Sequence, residues 1–252
     1  MDAALVLRRY DREMRARPYL PARMSAQHEN GVLRVTGEYN CIVLTELTEA
    51  DADAAIAAQR DYFAALGEPV EWKVHGHDTP ADLGSRLAAA GFAPDPAETL
   101  LAIDLTTPLP AFPPAPGCVI RHIEDAAGLD DFVAAVSAGF EADRSSAREE
   151  FAERLNDPTC ALYVAYRFSE PVAAGRVELP PGRPFAGLYT AAVAPAHRGL
   201  GLYRALVEVR LEAARRVGHA FAMVEALPTS RPILERLGFT PLTTVRGWIW
   251  SP

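Results

Sequence analysis

The chain has 252 residues, of which 49% are hydrophobic and 23% charged, and its formal net charge is −8. This length accommodates two domains with hydrophobic cores, and the acidic balance argues against broad, nonspecific nucleic-acid binding. The three cysteines lie far apart, no apolar run is long enough to span a membrane and the N-terminus lacks a signal-peptide pattern, so we expect reduced thiols and a cytoplasmic location.

The first part of the chain alternates helical and strand patterns. Asn30-Gly31 is a turn signal, and Gly67 ends the second helical pattern. We predict helices over 3–16 and 50–66 and a third after Thr79, with strands over 32–36, 41–47, 71–75 and 99–105.

A proline-rich segment then interrupts these patterns. Residues 106–117, TTPLPAFPPAPG, contain five prolines and no charged residue. This composition is typical of a stiff linker, and it predicts a boundary between a domain at 1–105 and a second domain at 118–252.

A second series of elements follows the linker. We predict strands over 119–123, 161–168, 172–179, 185–193, 220–224 and 243–250, with a hairpin turn at 169–171. Helices are predicted over 124–138, 145–155 and 200–217 and after Ser230. In the helix 200–217, the apolar positions predicted to face the core are Leu202, Leu206, Val209 and Ala213.

The clearest functional pattern lies at 191–218. An apolar strand end, Ala192-Val193-Ala194, is followed by Pro195 and by HRGLGLY at 197–203, which leads directly into a helix. The unpaired N–H groups of a helix start and the helix dipole favour an anion there, and glycine lets a ligand approach the backbone. The segment therefore predicts a phosphate-binding turn.

The two parts of the chain share a repeated pattern. Strand, proline-containing cap, short helix and a terminal Gly-Phe occur at 71–92 and again at 220–239. Before its long helix, however, the first part has Leu47-Thr48-Glu49-Ala50-Asp51, which is acidic and contains no glycine. Because such a helix start would repel a phosphate, only the second part is predicted to bind a cofactor.

With these motifs the chain resembles the GNAT superfamily of N-acetyltransferases. The family's cofactor motif, R/Q-x-x-G-x-G/A, is matched from Arg198 to Tyr203, although Tyr203 replaces the usual last Gly or Ala. The family's short capped helix ending in L-G-F is matched at 230–239. The resemblance covers about residues 118–250, and the first part is similar to the degenerate unit of tandem members.

This resemblance implies an α+β fold of the three-layer type. It has two GNAT-like units, each a mixed, mostly antiparallel sheet flanked by helices. Residues 1–105 would be the unit without a cofactor motif, and 118–252 would be the unit that binds acetyl-CoA.

The resemblance also implies where coenzyme A binds. The sheet of the family splays between the strands matching 185–193 and 220–225, and the pantetheine arm lies in the splay. The N–H of Val193 would hold the oxyanion. The implied cofactor-binding residues are Val193, Ala194, Arg198, Gly199, Leu200, Gly201, Leu202, Tyr203, Thr229 and Ser230.

The sequence specifies the residues for proton transfer less fully than those for cofactor binding. Glu225 ends a buried strand and is a candidate general base, because an amine acceptor must lose a proton; a salt-bridged strand-end residue is an equal alternative. Many family members carry a tyrosine general acid in the last helix, where this chain has Leu234. Ser230 is both a helix cap and a residue that could reach the pantetheine, whereas His197 is interpreted as a solvated turn residue.

A second polar group lies at a strand end of the first part. Trp72, His75, His77 and Asp78 could form a metal site or a pocket, but a hydrogen-bonded turn network is the favoured interpretation. We therefore expect no metal.

The sequence thus predicts an N-acetyltransferase that moves the acetyl group of acetyl-CoA directly to a primary amine of a small molecule or peptide. No cysteine lies near the motif to act as a nucleophile, which favours direct transfer. The alternative is a non-catalytic sensor or scaffold that binds coenzyme A or acyl-CoA. The expected partner is a small-molecule amine rather than nucleic acid or membrane. A homodimer is a further possible assembly.

Overall fold

A computed structural model describes residues 1–21, 23–109 and 116–252. The chain divides into two compact units, one of Met1–Leu101, Glu225–Glu235 and Thr240–Pro252, the other of Ala102–Val224 and Arg236–Phe239. Residues 110–115 of the predicted linker lie outside the described residues. The second unit begins before the predicted domain 118–252, and it lacks Glu225–Glu235 and the last strand, which group with the first unit.

The first unit has helices packed on both faces of a set of parallel and antiparallel strands. Its helices are α1 (Ala3–Tyr10), followed by a π-helical turn (Asp11–Arg15), α2 (Ala52–Leu66) and α3 (Leu83–Ala89). Its strands are β1 (Ser25–Glu29), β2 (Val32–Thr36), β3 (Cys41–Thr45), β4 (Val70–His75) and β5 (Ala93–Pro94), while β6 (Glu98–Asp104) contains residues of both units.

The second unit contains the remaining strands except the last. These are β7 (Cys118–Ile123), β8 (Cys160–Arg167), β9 (Glu170–Glu178), β10 (Phe185–Val193) and β11 (Phe221–Ala226), whose last two residues group with the first unit. Its helices are α4 (Ala126–Phe140), α5 (Arg148–Leu155) and α6 (Leu202–Arg216), with 3₁₀ turns at Ser145–Ala147 and Pro195–His197. The chain ends with α7 (Arg231–Arg236) and β12 (Thr240–Trp250).

Strand pairing is mixed, parallel and antiparallel, within each unit. In the first unit β1–β2, β2–β3 and β4–β12 are antiparallel and β3–β4 is parallel. In the second unit β7–β8, β8–β9 and β9–β10 are antiparallel and β10–β11 is parallel. The expected α+β class with mixed, mostly antiparallel sheets is confirmed.

The second unit buries both faces of its central strands β8 and β9, as their largely apolar sequences require. Val164 and Ala174 face α4 and α5 in a cluster that includes Phe132. The neighbouring positions Ala165 and Ala173 face the opposite side, where Leu202 and Leu206 of α6 cover them. The strand period of two therefore divides the core between two helical layers.

In the first unit, strand β4 separates an apolar face from a polar one. Trp72 is fully buried, packs edge-to-face against Phe92 and donates its indole N–H to Thr45 at 2.9 Å. The alternate residues Lys73 and His75 face the other side. All three tryptophans, Trp72, Trp248 and Trp250, lie in this unit, so tryptophan fluorescence reports on it alone.

The polar face contains a buried hydrogen-bonded cluster. Arg15 donates to Asp78 at 2.8 Å, to Asp11 at 3.0 Å and to the carbonyl of Val43 at 3.1 Å. Asp78 also accepts the backbone N–H of His75 at 2.9 Å, which makes the turn network that the sequence favours over a metal site. No group of His, Cys, Asp or Glu within the described ranges could hold a metal ion.

The ring of His75 is 1% exposed, and neither of its nitrogens has a hydrogen-bond partner among the described residues. Burial, aided by the positive charges of Arg15 and Lys73, lowers the pKa of His75 to about 2. The ring is therefore neutral in the folded chain, but it takes up a proton below its ordinary pKa of about 6.5 once the chain unfolds.

Because the pKa of His75 is lower in the folded state, its contribution to stability is present above pH 6.5 and lost as the pH falls towards 2. We expect the free energy of unfolding of the first unit to fall in this window by about 1.4 kcal/mol per pH unit from this residue. Urea unfolding followed by tryptophan fluorescence at pH 7, 6 and 5 measures the slope. His75→Gln should flatten it, whereas His28→Gln at an exposed position should not; equal slopes in all three proteins would contradict the assignment.

Candidate functional site

Strand β10 is paired on both sides only at its beginning. Phe185, Ala186 and Gly187 pair in parallel with the first three residues of β11, ending at Met223. On its other side β10 continues along β9 as far as Val193. Beyond Gly187, within the part of the chain that the structure describes, β10 has no recorded pairing with β11, so the edge of β10 facing β11 is open.

A β-bulge lies in this open part of β10. Tyr189 pairs with Arg176 and Ala192 pairs with Ala174, so that two residues of β10, Thr190 and Ala191, oppose a single residue of β9. Thr190 has φ of 47°, in the left-handed region that a threonine rarely adopts. The bulge re-aims the last residues of the strand.

The end of β10 presents a backbone donor to the open edge. The N–H of Ala194 donates to the carbonyl of Val172 on β9 at 2.9 Å. Because successive N–H groups of an extended strand point to opposite edges, the N–H of Val193 points away from β9. This is the donor direction that the predicted role of Val193 requires.

Helix α4 approaches this strand end closely because it carries a glycine. A Cβ built on Gly139 would lie 2.5 Å from the Cβ of Ala192 and 2.8 Å from the backbone nitrogen of Val193. Any larger residue would therefore push α4 away from the strand or displace Val193. The sequence patterns did not single out Gly139, because a glycine near a helix C-terminus is ordinarily interpreted as part of the cap.

The turn before α6 offers a second set of backbone donors. Gly199 and Gly201 have φ of 80° and 79°, and a Cβ at either position would meet no atom within 4 Å. Among the described residues, no protein acceptor is recorded for the N–H groups of Gly199, Leu200 and Gly201. Consecutive free amides at a helix N-terminus fit a pyrophosphate, so these residues fit the predicted cofactor.

Arg198 has a different place from the one that the motif suggests. Its own N–H donates to Pro195 at 3.3 Å. Its guanidinium donates to the carbonyls of Val193 and Gly139 at 3.2 and 3.1 Å and forms a 3.0 Å ion pair with Glu141. Arg198 thus ties the end of β10 to the end of α4, and its contact with a cofactor stays a prediction.

The buried face of α6 is wider than predicted, since it also contains Ala205, Val207, Leu211 and Ala214, and one predicted position is wrong. Leu202, Leu206 and Ala213 are buried as expected, but Val209 is only partly buried and Arg210 is buried instead. Tyr203, the departure from the family motif, is partly buried in the first turn, and burial raises its pKa.

The other predicted residues belong to the first unit. Glu225 forms a 2.7 Å ion pair with Lys73, and the two side chains are 14% and 27% exposed. The strand-end salt bridge considered from the sequence is therefore present. Burial raises the pKa values of Glu71 and Glu98, and the charge of Glu225 raises both further. Two further carboxyl groups thus lie close enough to Glu225 to be affected by its charge.

Thr229, Ser230 and Leu234 lie around the start of α7. The Ser230 hydroxyl donates to the carbonyl of Leu227 at 3.2 Å, and its carbonyl accepts the N–H groups of Ile233 and Leu234. Ser230 therefore stabilises the turn into α7. Leu234 is fully buried, so it takes part in packing and has no proton to give.

Residues 129–239 match the family described as "Acetyltransferase (GNAT) family". This segment contains most of α4, the β10 bulge and the glycine turn, and it confirms the GNAT resemblance. No curated protein matches the chain significantly.

Solved structures extend the likeness to the whole chain. A GCN5-related N-acetyltransferase from Kribbella flavida has a TM-score of 0.69 at 17% identity, over 99% of this chain and 94% of that one. A tandem GNAT protein from the clavulanic acid biosynthesis pathway has a TM-score of 0.61 at 16% identity, covering 92% and 85%. A GCN5-related N-acetyltransferase from Sphaerobacter thermophilus has 0.60 at 16%, covering 90% and 76%.

At these identities the structures show the fold, which is the tandem GNAT fold. Together with the family match, this fold supports acyl-CoA-dependent acetyl transfer in general. In the described part of the chain, none of the helices combines the length and apolar character needed to cross a bilayer.

Replacing Gly139 by alanine tests the close approach of α4. Alanine normally stabilises a helix by about 1 kcal/mol relative to glycine, but here its Cβ meets Ala192 and the backbone of Val193. We expect Gly139→Ala to weaken acetyl-CoA binding by at least about 10-fold, measured by isothermal titration calorimetry. Ala138→Ser at the exposed neighbouring position is the control, and unchanged affinity in Gly139→Ala would contradict the interpretation.

Proposed function

From this family assignment, we propose that the chain is an acetyl-CoA-dependent N-acetyltransferase that acetylates a primary amine of a small molecule or peptide. The proposal rests on one observation above all. A bulged, open-edged strand runs into a turn before α6 whose consecutive amides have no acceptor in the described part of the chain.

The two sets of donors suit different parts of the cofactor. The free amides of Gly199, Leu200 and Gly201 would bind the pyrophosphate, where the dipole of α6 adds to the attraction. The N–H of Val193 at the open edge would donate to the carbonyl oxygen of the acetyl thioester. Acetyl-CoA then supplies an activated acetyl group, and the chain supplies its orientation.

Glu225 is the proposed base for the acceptor. The amine attacks the thioester carbonyl, a C–N bond forms as the C–S bond breaks, and the nitrogen loses a proton while the departing sulfur takes one up. Glu225 follows β11 residues that pair with β10, and Lys73 holds its carboxylate at 2.7 Å. Glu71 and Glu98, whose pKa values the charge of Glu225 raises, add carboxyl groups near it, and a cluster of carboxyl groups would favour a protonated amine as the arriving substrate.

The alternative function is a coenzyme A-binding sensor or scaffold without turnover. One observation favours it: Leu234 is fully buried where many family members have a tyrosine acid. Coenzyme A is a moderately acidic thiol, so a dedicated acid assists transfer without being required for it.

Acetyl transfer is tested with the full chain, acetyl-CoA and a panel of polyamines, aminoglycosides, amino acids and peptides. Release of free thiol and the mass of the acetylated amine are measured together. Gly201→Glu should raise the dissociation constant for acetyl-CoA by more than about 10-fold, because it places a carboxylate at the anion site. Gly182→Glu, at another glycine with positive φ and open space, is the matched control.

Three outcomes separate the hypotheses. Turnover that Gly201→Glu abolishes supports the transferase. Tight acetyl-CoA binding without turnover on any amine supports the sensor or scaffold. Normal acetyl-CoA binding by Gly201→Glu would contradict both hypotheses.

Glu225→Gln tests the base. Removing a general base typically costs about 100-fold or more in rate, so kcat should fall by about this factor while the affinity for acetyl-CoA is unchanged. If Glu225 is only the partner of Lys73, Glu225→Gln will lower stability and leave kcat within about twofold. Lys73→Met is the companion variant, since it breaks the same 2.7 Å ion pair but keeps the carboxylate.

A further inference from the structure

Arg210 is a buried cation without an anionic partner. It lies in the middle of α6 and is 1% exposed. Within residues 1–21, 23–109 and 116–252, no carboxylate forms an ion pair with it. Burying an unpaired charge is costly, and a residue of similar volume without charge is often better tolerated in such a place. The guanidinium therefore needs an explanation other than the filling of space.

Among the residues that the structure describes, the guanidinium donates to backbone carbonyls alone. Its Nε donates to Leu206 on the same helix at 2.8 Å. One terminal nitrogen, Nη1, donates to the carbonyl of Arg176 on β9 at 3.2 Å and to that of Tyr189 on β10 at 3.3 Å. Arg210 thus connects α6 to both strands of the bulged pair.

These two carbonyls border the bulge directly. Tyr189 and Arg176 form the last regular pair before Thr190 and Ala191 oppose one residue of β9. A bulge disrupts the ladder locally, and a buried carbonyl without a donor is unfavourable. Arg210 donates to a carbonyl on each strand at the point where the ladder is interrupted.

The residue opposite the bulge is shaped for the guanidinium. It is Gly175, and a Cβ built there would lie 3.0, 3.1 and 3.2 Å from the Cζ, Nε and Nη1 atoms of Arg210. The backbone of Gly175 has no positive φ that would itself require glycine. The guanidinium of Arg210 fills the space that a side chain at position 175 would need, which explains why this residue is glycine.

The same helix carries the free amides of the glycine turn at its N-terminus. One buried side chain therefore links the two sets of donors described above, those at the end of β10 and those before α6. Burial lowers the pKa of Arg210 to about 10, so the group is still charged at neutral pH.

We propose that Arg210 is a positioning residue, whose guanidinium holds the β10 bulge in a fixed relation to the start of α6 so that Val193 and the glycine turn engage acyl-CoA together. This inference rests on the proposed function for its ligand. Its structural part, the support of the bulge, does not depend on the ligand.

Arg210→Met in the full chain removes the charge and the donors but keeps most of the volume. We expect acetyl-CoA to bind about 10-fold more weakly, because small displacements of positioned groups are expensive. We expect hydrogen exchange of the amides in 189–193 to quicken by a similar factor in the ligand-free protein. The midpoint of thermal unfolding should be unchanged or higher, since a buried unpaired charge has been removed.

Two further variants keep the inference falsifiable. Arg215→Met makes the same substitution at an exposed position of α6 and should change neither binding nor exchange. Gly175→Ala leaves Arg210 in place but displaces its guanidinium, so it should shift binding and exchange in the same direction as Arg210→Met, by a smaller factor.

The outcomes distinguish this inference from the proposed function. If the unsubstituted chain binds no acetyl-CoA, the proposed function fails, and hydrogen exchange alone still decides the role of Arg210. If the unsubstituted chain binds acetyl-CoA and Arg210→Met binds it equally well with unchanged exchange at 189–193, the positioning role is overturned. A large loss of thermal stability with unchanged exchange at 189–193 would likewise overturn it, as evidence for packing alone.

Discussion

One extra residue in β10 determines the arrangement of the second unit's site. Because Thr190 and Ala191 oppose a single position of β9, the antiparallel ladder cannot continue through them without a break. The strand bends at the bulge. Among the described residues its pairing with β11 ends at Gly187, and the rest of that edge is open to a ligand. Beside the bulge, Arg210 of α6 donates to the carbonyl of Arg176 on β9 and to that of Tyr189 on β10.

Much of this site could be predicted from local sequence. The strand into an Arg- and Gly-containing turn and then into an amphipathic helix depends only on short-range rules for helix starts and for glycine. The N–H direction of Val193 and the left-handed backbone of Gly199 and Gly201 are consistent with the roles that the resemblance to the GNAT superfamily implies. Local patterns suffice here because a backbone site needs no particular side chain from a distant element.

Long-range features escaped the same rules. Helical periodicity predicted Val209 on the buried face of α6, because periodicity counts a charged side chain as exposed, whereas Arg210 finds its partners on β9 and β10. The hairpin turn predicted at 169–171 lies at Phe168 and Ser169 instead, both with positive φ and neither a typical residue for such a turn. The pairing of β12 with β4 joins residues far apart in sequence, which no local pattern encodes.

The start of α2 shows why a GNAT-like helix start is not by itself an anion site. There the N–H groups of Asp51 and Ala52 both donate to the carbonyl of Thr48, and the Thr48 hydroxyl donates to the Asp51 carboxylate. The donors are already satisfied, and a fixed negative charge occupies the place that the helix dipole would offer to a phosphate. Before α6 the corresponding amides belong to glycines in a left-handed conformation and have no acceptor among the described residues, so the dipole and the donors stay available for a ligand.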